Sequence, residues 1–350
     1  MKMRFYRSLI VKVLSMLMVV FVALILLNVV LGATGYSDRM LGALVNEQVR
    51  VYRQGLLGTI SNPDEVTRIV EEYEQVLRTA HGLDTPWLTR LPQMIWRVLT
   101  LNLGQSKSAQ TFIGSTNIKD LIIERLPNSL LLITTSVGIN AMLGIIIGTK
   151  IATEPGSRLD RFFSNYSAIS YAFPTWWVGV IFIFFFSQIL RILPPGGIYS
   201  TPPPTEPLAR SLDLLMHMIL PILTLVLARS GNYIYMTRSM VFNTAQQDFV
   251  KVARAKGLPE NMVMRRYILR VAAPPIITNV ILGLAASLGG SVITETVFGW
   301  PGMGQLFYDA IITVDEGLII ALTFIYTIIY VIARMILEVL YLVLDPRVEY

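Results

Sequence analysis

The sequence predicts an all-α polytopic membrane protein, and three observations support this prediction. Hydrophobic residues make up 53% of the 350 residues. Charged residues make up only 15%, whereas about 25% is typical of soluble domains. Apolar runs of about 20 residues recur along the chain, and each is long enough to cross a hydrocarbon layer of roughly 30 Å as a helix.

The first expected span is the stretch Val13–Leu31, which contains no charged residue and follows four basic ones. The apolar part of a secretory signal peptide is usually shorter, at about 7 to 15 residues, and ends at a small-residue cleavage site. Leu31-Gly32-Ala33 is a poor match to such a site. We therefore expect a retained helix whose N-terminus lies in the cytoplasm.

Five further spans are expected, which gives six helices and places both termini in the cytoplasm. They lie at about Leu126–Thr149, Ala168–Leu193, Leu212–Tyr235, Pro275–Val297 and Leu318–Leu344. Positive charge supports this orientation, because Lys and Arg collect in short cytoplasmic loops. The loop of residues 236–272 carries seven basic side chains and two acidic ones.

The expected organisation has three parts. Residues 1–32 form the cytoplasmic N-terminus and the first span, residues 33–125 a small helical extracytoplasmic segment, and residues 126–350 a five-helix core. In the extracytoplasmic segment, Asn62 and Pro63 indicate the start of a helix and Gly82 its end. A second helix is expected at about Pro92–Leu103.

Several chemical functions are excluded or poorly supported. The chain has no cysteine and only two histidines, far apart in sequence, so thiolate sites are excluded and a histidine metal site is poorly supported. No nucleotide-binding or hydrolase motif occurs. The net charge of +6 lies mostly on the expected cytoplasmic loops and is explained by anionic lipid headgroups without any nucleic acid.

Polar residues within the expected spans are candidates for a translocation pathway, because in lipid they usually face a bundle interior or a water path. They are Ser136, Asn140, Ser287, Ser291 and Glu295. For the serines and the asparagine, hydrogen bonds between helices are an alternative explanation. Glu295 needs water or a partner, unless it lies at the level of the lipid headgroups.

The stretch between the fourth and fifth spans predicts a rigid helix–turn–helix bracket. Thr244–Lys256 can form a helix, and Gly257 suits the left-handed residue that follows a helix end. Leu258 can fold back over the joint, and Pro259 can begin a second helix. We expect this bracket to project into the cytoplasm.

The bracket and four other segments resemble permeases of the dipeptide/oligopeptide (and nickel) ABC importer family. The matching segments are Gln247–Leu258 (QDFVKVARAKGL), Glu295–Gly304 (ETVFGWPGMG), His217–Pro221 (HMILP), Leu344–Arg347 (LDPR) and Leu103–Ser106 (LGQS). The five segments together are specific for this family, whereas the ARAKG motif alone would be weak evidence for it. An ion-coupled secondary transporter is the main rival, but it would more often show ten or more spans built from repeats.

The resemblance implies a type I ABC importer permease fold and a transport subunit that is not an enzyme. In such an importer, two permease chains work with two cytoplasmic ATPase subunits, which bind ATP and magnesium, and with an external solute-binding protein. The chain itself needs no cofactor. It would form half of a pathway through the cytoplasmic (inner) membrane for peptides; nickel or oligosaccharides are alternative solutes.

The resemblance also implies roles for particular residues. Those expected to dock on an ATPase are Asp248, Ala253, Arg254, Ala255, Lys256, Gly257 and Leu258, with the basic side chains pairing with acidic groups of the partner. Trp300, Pro301 and Gly302 are expected to form a type II turn. This turn would close the outer mouth of the pathway or receive the binding protein.

Overall fold

A computed structural model describes residues 2–57, 60, 62–80, 82–313 and 315–344. This described part is helical, as predicted, and its β-structure is limited to an isolated bridge between Gln105 and Asn117. The chain divides into two compact units. One is formed mainly by Leu121–Asp309, and the other mainly by Leu9–Asp120 together with Ala310–Thr327.

The described residues of the N-terminal part form four helices. They are α1 (Lys2–Ala33), α2 (Tyr36–Leu57), α3 (Pro63–Ala80) and α4 (Trp87–Leu99). The predicted start of α3 is confirmed, because Asn62 Oδ1 accepts a hydrogen bond from the Asp64 N–H at 3.1 Å. The predicted start of α4 at Pro92 is wrong. The extended backbone of Pro86 directly precedes the first turn, and Pro92 lies inside the helix.

The remaining helices follow from Ile118 onward. They are α5 (Ile118–Leu143), α6 (Thr149–Thr153), α7 (Arg158–Ala172), α8 (Thr175–Phe182), α9 (Pro207–Ala245), α10 (Asp248–Ala255), α11 (Glu260–Met262), α12 (Leu269–Gly290), α13 (Val292–Val297), α14 (Met303–Ile312) and α15 (Glu316–Leu344). Within the ranges that the structure describes, π-helical turns continue the helices at Gly144–Gly148, Ile183–Ile189 and Val263–Ile268. The predicted helix Thr244–Lys256 is wrong as a single element, because the chain breaks at Gln246 and Gln247 between α9 and α10.

Four helical stretches of the described chain are long and apolar enough to cross a membrane. They are Ile118–Thr153, Pro207–Ala245, Glu260–Ala285 and Glu316–Leu340. The first expected span lies in α1, where Leu14–Val30 forms a shorter apolar stretch. At most 39% of each long apolar window is buried inside the chain, so the remaining apolar faces are available for lipid or for another chain.

The third expected span, Ala168–Leu193, is not one straight helix. The axes of α7 and α8 differ by 94°. The break falls at Phe173 and Pro174, which both have extended backbone. Proline pushes the residue before it out of the helical region, so the apolar run that predicted a single span is interrupted there.

Helix α9 is central to its compact unit and packs against α7, α8, α12 and the π-helical turn that follows α5. Gly144 and Gly148 allow the closest approach, since a Cβ on either would lie within 3 Å of an α9 carbonyl oxygen. Arg238 of α9 also binds Asp160 of α7 with both arms of its guanidinium, at 2.7 and 2.8 Å. These contacts pack α9 closely against α5 and α7 in this structure.

Candidate functional site

The bracket (residues 248–262) bends at Gly257 as predicted. Gly257 has a φ of 76°, and its N–H donates to the Arg254 carbonyl at 2.9 Å. The Leu258 N–H reaches back to the Ala253 carbonyl at 3.4 Å. This pair of bonds is the Schellman arrangement, which closes a helix end around a left-handed residue. Leu258 packs against a buried cluster that includes Val250, so the bend is fixed on its inner side.

An ion pair bridges the two arms of the bracket. Arg254 Nη2 lies 2.7 Å from Glu260 Oε1, and Arg254 Nε lies 3.2 Å from Glu260 Oε2. These hydrogen bonds raise the pKa of Arg254. Within the chain, the partner of this arginine is therefore a residue of the bracket's own second arm.

The inner and outer faces of α10 have different compositions. Val250 and Ala253 are buried in the cluster that the bracket shares with α9 and α12. Phe249 and Val252 are 40% and 52% exposed on the other face, where Lys256 is also exposed. Asp248, Arg254, Ala255, Lys256 and Gly257 of the expected docking residues are exposed, whereas Ala253 is buried and Leu258 is half-buried. The outer face is thus apolar at its centre and basic at its edge.

Glu295 lies in the interior with both carboxylate oxygens engaged. Oε1 accepts hydrogen bonds from the hydroxyls of Ser129 and Ser291, both at 2.7 Å. Oε2 accepts from the backbone N–H groups of Gly304 at 2.7 Å and Gln305 at 3.2 Å. The side chain is fully buried, so it links α5, the start of α13 and the first turn of α14. Among the described residues no group of three His, Asp or Glu side chains is placed to hold a metal ion.

The turn around Pro301 differs from the predicted type II turn. The Gly302 N–H donates to the Trp300 carbonyl at 2.7 Å, which makes a three-residue γ-turn centred on Pro301. The N–H of Met303 donates instead to Ser129 Oγ at 2.7 Å, and the left-handed glycine is Gly299 with a φ of 56°. The type II prediction is therefore wrong, because α5 takes the donor that would have closed such a turn.

Trp300, Pro301 and Gly302 are buried within their own unit. The Trp300 indole donates to the Asn128 carbonyl at 3.1 Å, and the Asn128 side chain donates back to the Pro301 carbonyl at 2.7 Å. These reciprocal bonds attach the turn to α5. In the described part of the chain, these three residues therefore form no exposed surface.

Three of the predicted pathway residues lie around one interior cavity. Ser136 and Asn140 come from one face of α5, and Ser291 lies between α12 and α13. The cavity has room for about one water molecule. The backbone of Ser287 is helical in α12, but its side chain lies outside the described part of the chain. The structure thus places three candidates together and leaves the fourth a prediction.

The sequence analysis did not predict Arg229 or the exposed apolar residues of α10 as candidate functional residues. Arg229 lies in the middle of α9 and lines the same cavity as Asn140. A charged residue within an expected span is itself a recognisable signal of a functional site. Phe249 and Val252 could have been found from their helical spacing beside the basic motif.

A second carboxylate organises the turn that contains Ser106. Asp315 Oδ2 accepts from the Ser106 hydroxyl at 2.7 Å and from the Lys107 N–H at 2.6 Å. Its other oxygen accepts from the Leu318 N–H at 3.2 Å, so Asp315 also caps the start of α15. The segment Leu103–Ser106 is therefore held by a buried hydrogen-bonded carboxylate within its own unit.

The chain is similar to known transport proteins. A family model described as "Binding-protein-dependent transport system inner membrane component" matches residues 141–350. The oligopeptide transport system permease protein AppB of Bacillus subtilis (strain 168) is 37% identical over 270 residues, which cover 77% of this chain and 83% of that protein. A putative peptide permease of Brucella suis biovar 1 (strain 1330) is 31% identical over 273 residues, covering 78% and 83%. A chain of the inward-facing MetNI methionine ABC transporter has a TM-score of 0.49 at 18% identity, over 64% of this chain and 98% of that one.

Proposed function

Because the chain belongs to the family of binding-protein-dependent transport system inner membrane components, we propose that it forms half of an ATP-driven pathway for importing peptides. Family membership makes it a multi-pass permease subunit of an ABC importer, and therefore a transport subunit and not an enzyme. Two ATPase subunits, a second homologous permease and an external solute-binding protein complete the proposed complex. In this arrangement both termini lie in the cytoplasm.

Peptides are the proposed solute because the similar proteins carry peptide permease names. Nickel or an oligosaccharide is the alternative within the same class of importer. ATP and magnesium would be bound by the partner ATPases, and the permease would need no cofactor of its own. An ion-coupled transporter would need an ion site within its spans. Glu295, the carboxylate among the candidate pathway residues, already accepts four hydrogen bonds from the chain itself.

The main structural support for this proposal is the geometry of the bracket. Its bend is fixed by backbone hydrogen bonds, and its inner face is packed on α9 and α12. A partner that moves the bracket would therefore move those helices as well. The outer face presents exposed Phe249 and Val252 beside basic Lys256, which suits an ATPase groove with an apolar floor and an acidic rim.

The docking role can be tested by placing a charge in the centre of the outer face. Val252→Asp should reduce co-purification of the ATPase subunits and peptide uptake by about tenfold or more, because an unpaired charge would be desolvated at the contact. Gln246→Asp adds the same charge at an exposed position just before the bracket and serves as the control. Normal ATPase recovery with Val252→Asp would show that the ATPase docks elsewhere.

A further inference from the structure

A guanidinium lies in the middle of the longest membrane-crossing helix of the described chain. Arg229 belongs to α9, whose apolar stretch extends over Pro207–Ala245, and it lines the interior cavity. Ionisable side chains within membrane helices are costly and usually face a bundle interior or a solute path. Its position therefore calls for a function in the cavity.

Arg238 of the same helix has a different environment. Arg238 is engaged by both oxygens of Asp160 at 2.7 and 2.8 Å, so its charge is used in joining α9 to α7. Arg229 lies beside a cavity whose polar lining also includes Ser136, Asn140 and Ser291. The cavity therefore combines a cationic side chain with two hydroxyls and an amide.

The lining supplies hydrogen-bond acceptors as well as a cation. Asn140 is 1% exposed, and its Oδ1 has no hydrogen-bond partner among the residues that the structure describes. Ser136 and Ser291 donate their hydroxyl protons to the Leu132 carbonyl and to Glu295, so each can only accept from a ligand. A buried amide oxygen without a donor is costly. The lining therefore favours a ligand that carries both a negative group and an N–H donor.

We propose that Arg229 and Asn140 form a binding site for the C-terminal end of a transported peptide. The terminal carboxylate would accept from the planar fork of Arg229, and the N–H of the last peptide bond would donate to Asn140 Oδ1. The inference rests on the proposed peptide-import function and adds a selectivity for the free carboxylate. In this structure the cavity has room for about one water molecule, so a peptide end would enter the site only when α5 and α9 separate during transport.

The test uses the complete transporter, with its ATPases, partner permease and binding protein, in proteoliposomes. Initial uptake is measured for an alanine tripeptide and for the same tripeptide with a C-terminal amide. The amide keeps the N–H groups but lacks the charge. Selection by the binding protein is the same in all permease variants, so a change in the ratio of the two rates reports on the permease.

Arg229→Gln should reduce the ratio of carboxylate to amide uptake by about tenfold, which corresponds to the loss of a charge-assisted hydrogen bond. Arg229→Lys should lie between this variant and the wild type, because it keeps the charge without the fork. The matched control is Arg210→Gln, which removes an exposed arginine near the start of the same helix. The inference is supported if the ratio falls for Arg229→Gln and stays at the wild-type value for the control.

Three results would overturn the proposed carboxylate-binding site. They also distinguish its failure from a failure of the proposed peptide import. If peptides are imported and the ratio is unchanged in Arg229→Gln, the site is wrong while peptide import stands. Equal loss of both peptides in Arg229→Gln and Arg229→Lys, at normal recovery of the complex, would assign Arg229 to helix packing. If the assembled wild-type complex hydrolyses ATP but imports neither tripeptide, the proposed function itself fails.

Discussion

Two bends of the molecule follow a similar local plan but have opposite surroundings. The bend at Gly257 and the bend at Gly299 each have a left-handed glycine and a nearby proline, and a helix follows each. The carboxylate beside the first bend, Glu260, is exposed and pairs with Arg254. The carboxylate of the second, Glu295, is buried and binds two hydroxyls and two backbone N–H groups.

Because their surroundings differ, the two bends are expected to have different roles. A fully satisfied buried network fixes one arrangement of the helices around it, and its partial loss is expensive. An exposed ion pair contributes little to folding, so the bracket is held mainly by its backbone turn and its buried inner face. We infer that the hydrogen bonds of Glu295 stabilise the arrangement of helices in the permease. We also infer that the bracket transmits movement of a partner to the helices on which it packs.

The largest expected effect is that of removing the buried carboxylate. Glu295→Ala would leave two hydroxyls and two N–H groups without their acceptor in the interior. The expected loss of stability is about 3 kcal/mol or more, measured as a lower thermal unfolding midpoint of the purified complex. Glu154→Ala, which removes an exposed carboxylate, is the control. An unchanged midpoint for Glu295→Ala would contradict a structural role for the network.

A smaller effect is expected at the bend of the bracket. A Cβ on Gly257 would meet no atom of the described residues within 4 Å, so Gly257→Val is opposed by the left-handed backbone and not by a clash. The strain is roughly 1–2 kcal/mol, too little to prevent folding but enough to favour a different bend. We expect normal membrane insertion with reduced peptide uptake.

The matched variant for this prediction is Gly257→Asn, because asparagine tolerates the left-handed region better than other residues with a side chain. It should retain most of the uptake. If valine and asparagine variants transport equally well, the angle of the bend does not matter for coupling.

Local rules predicted those parts of the fold that depend on nearby residues. The start of α3 at Asn62 and Pro63 and the left-handed Gly257 follow from the chemistry of helix ends, which acts over a few residues. Pro174 indicates a bend between α7 and α8, but the long apolar run around it predicted one continuous span. Helix α2 has a weaker apolar pattern and was not predicted.

The sites were predicted less completely, because burial depends on residues distant in sequence. Glu295 was recognised as an unusual carboxylate, but its contact with Ser129 spans 166 positions. The type II turn at Pro301 was a sound local prediction, yet the Ser129 hydroxyl takes the N–H that such a turn would use. Similarly, Ala253 belongs to the expected docking motif, and only the packing of α10 shows that its side chain faces inward.

The smallest effect on stability is expected for the ion pair that braces the bracket. Arg254 and Glu260 are 45% and 60% exposed, so breaking the pair should cost at most about 1 kcal/mol. Arg254→Glu would nevertheless place two carboxylates across the bend and push its arms apart. We therefore expect weaker ATPase association with little change in thermal stability.

Exchanging the charges of Arg254 and Glu260 tests whether Arg254 acts by bracing the bend or by binding the ATPase directly. The double variant Arg254→Glu with Glu260→Arg restores the ion pair but reverses the charge at each position. If the pair acts by bracing the bend, the double variant should recover most of the ATPase association that the single variant loses. If Arg254 instead binds an acidic group of the ATPase, the exchanged pair should associate as poorly as Arg254→Glu alone. Because the backbone turn remains in every variant, association measured by co-purification reports the role of the charges themselves.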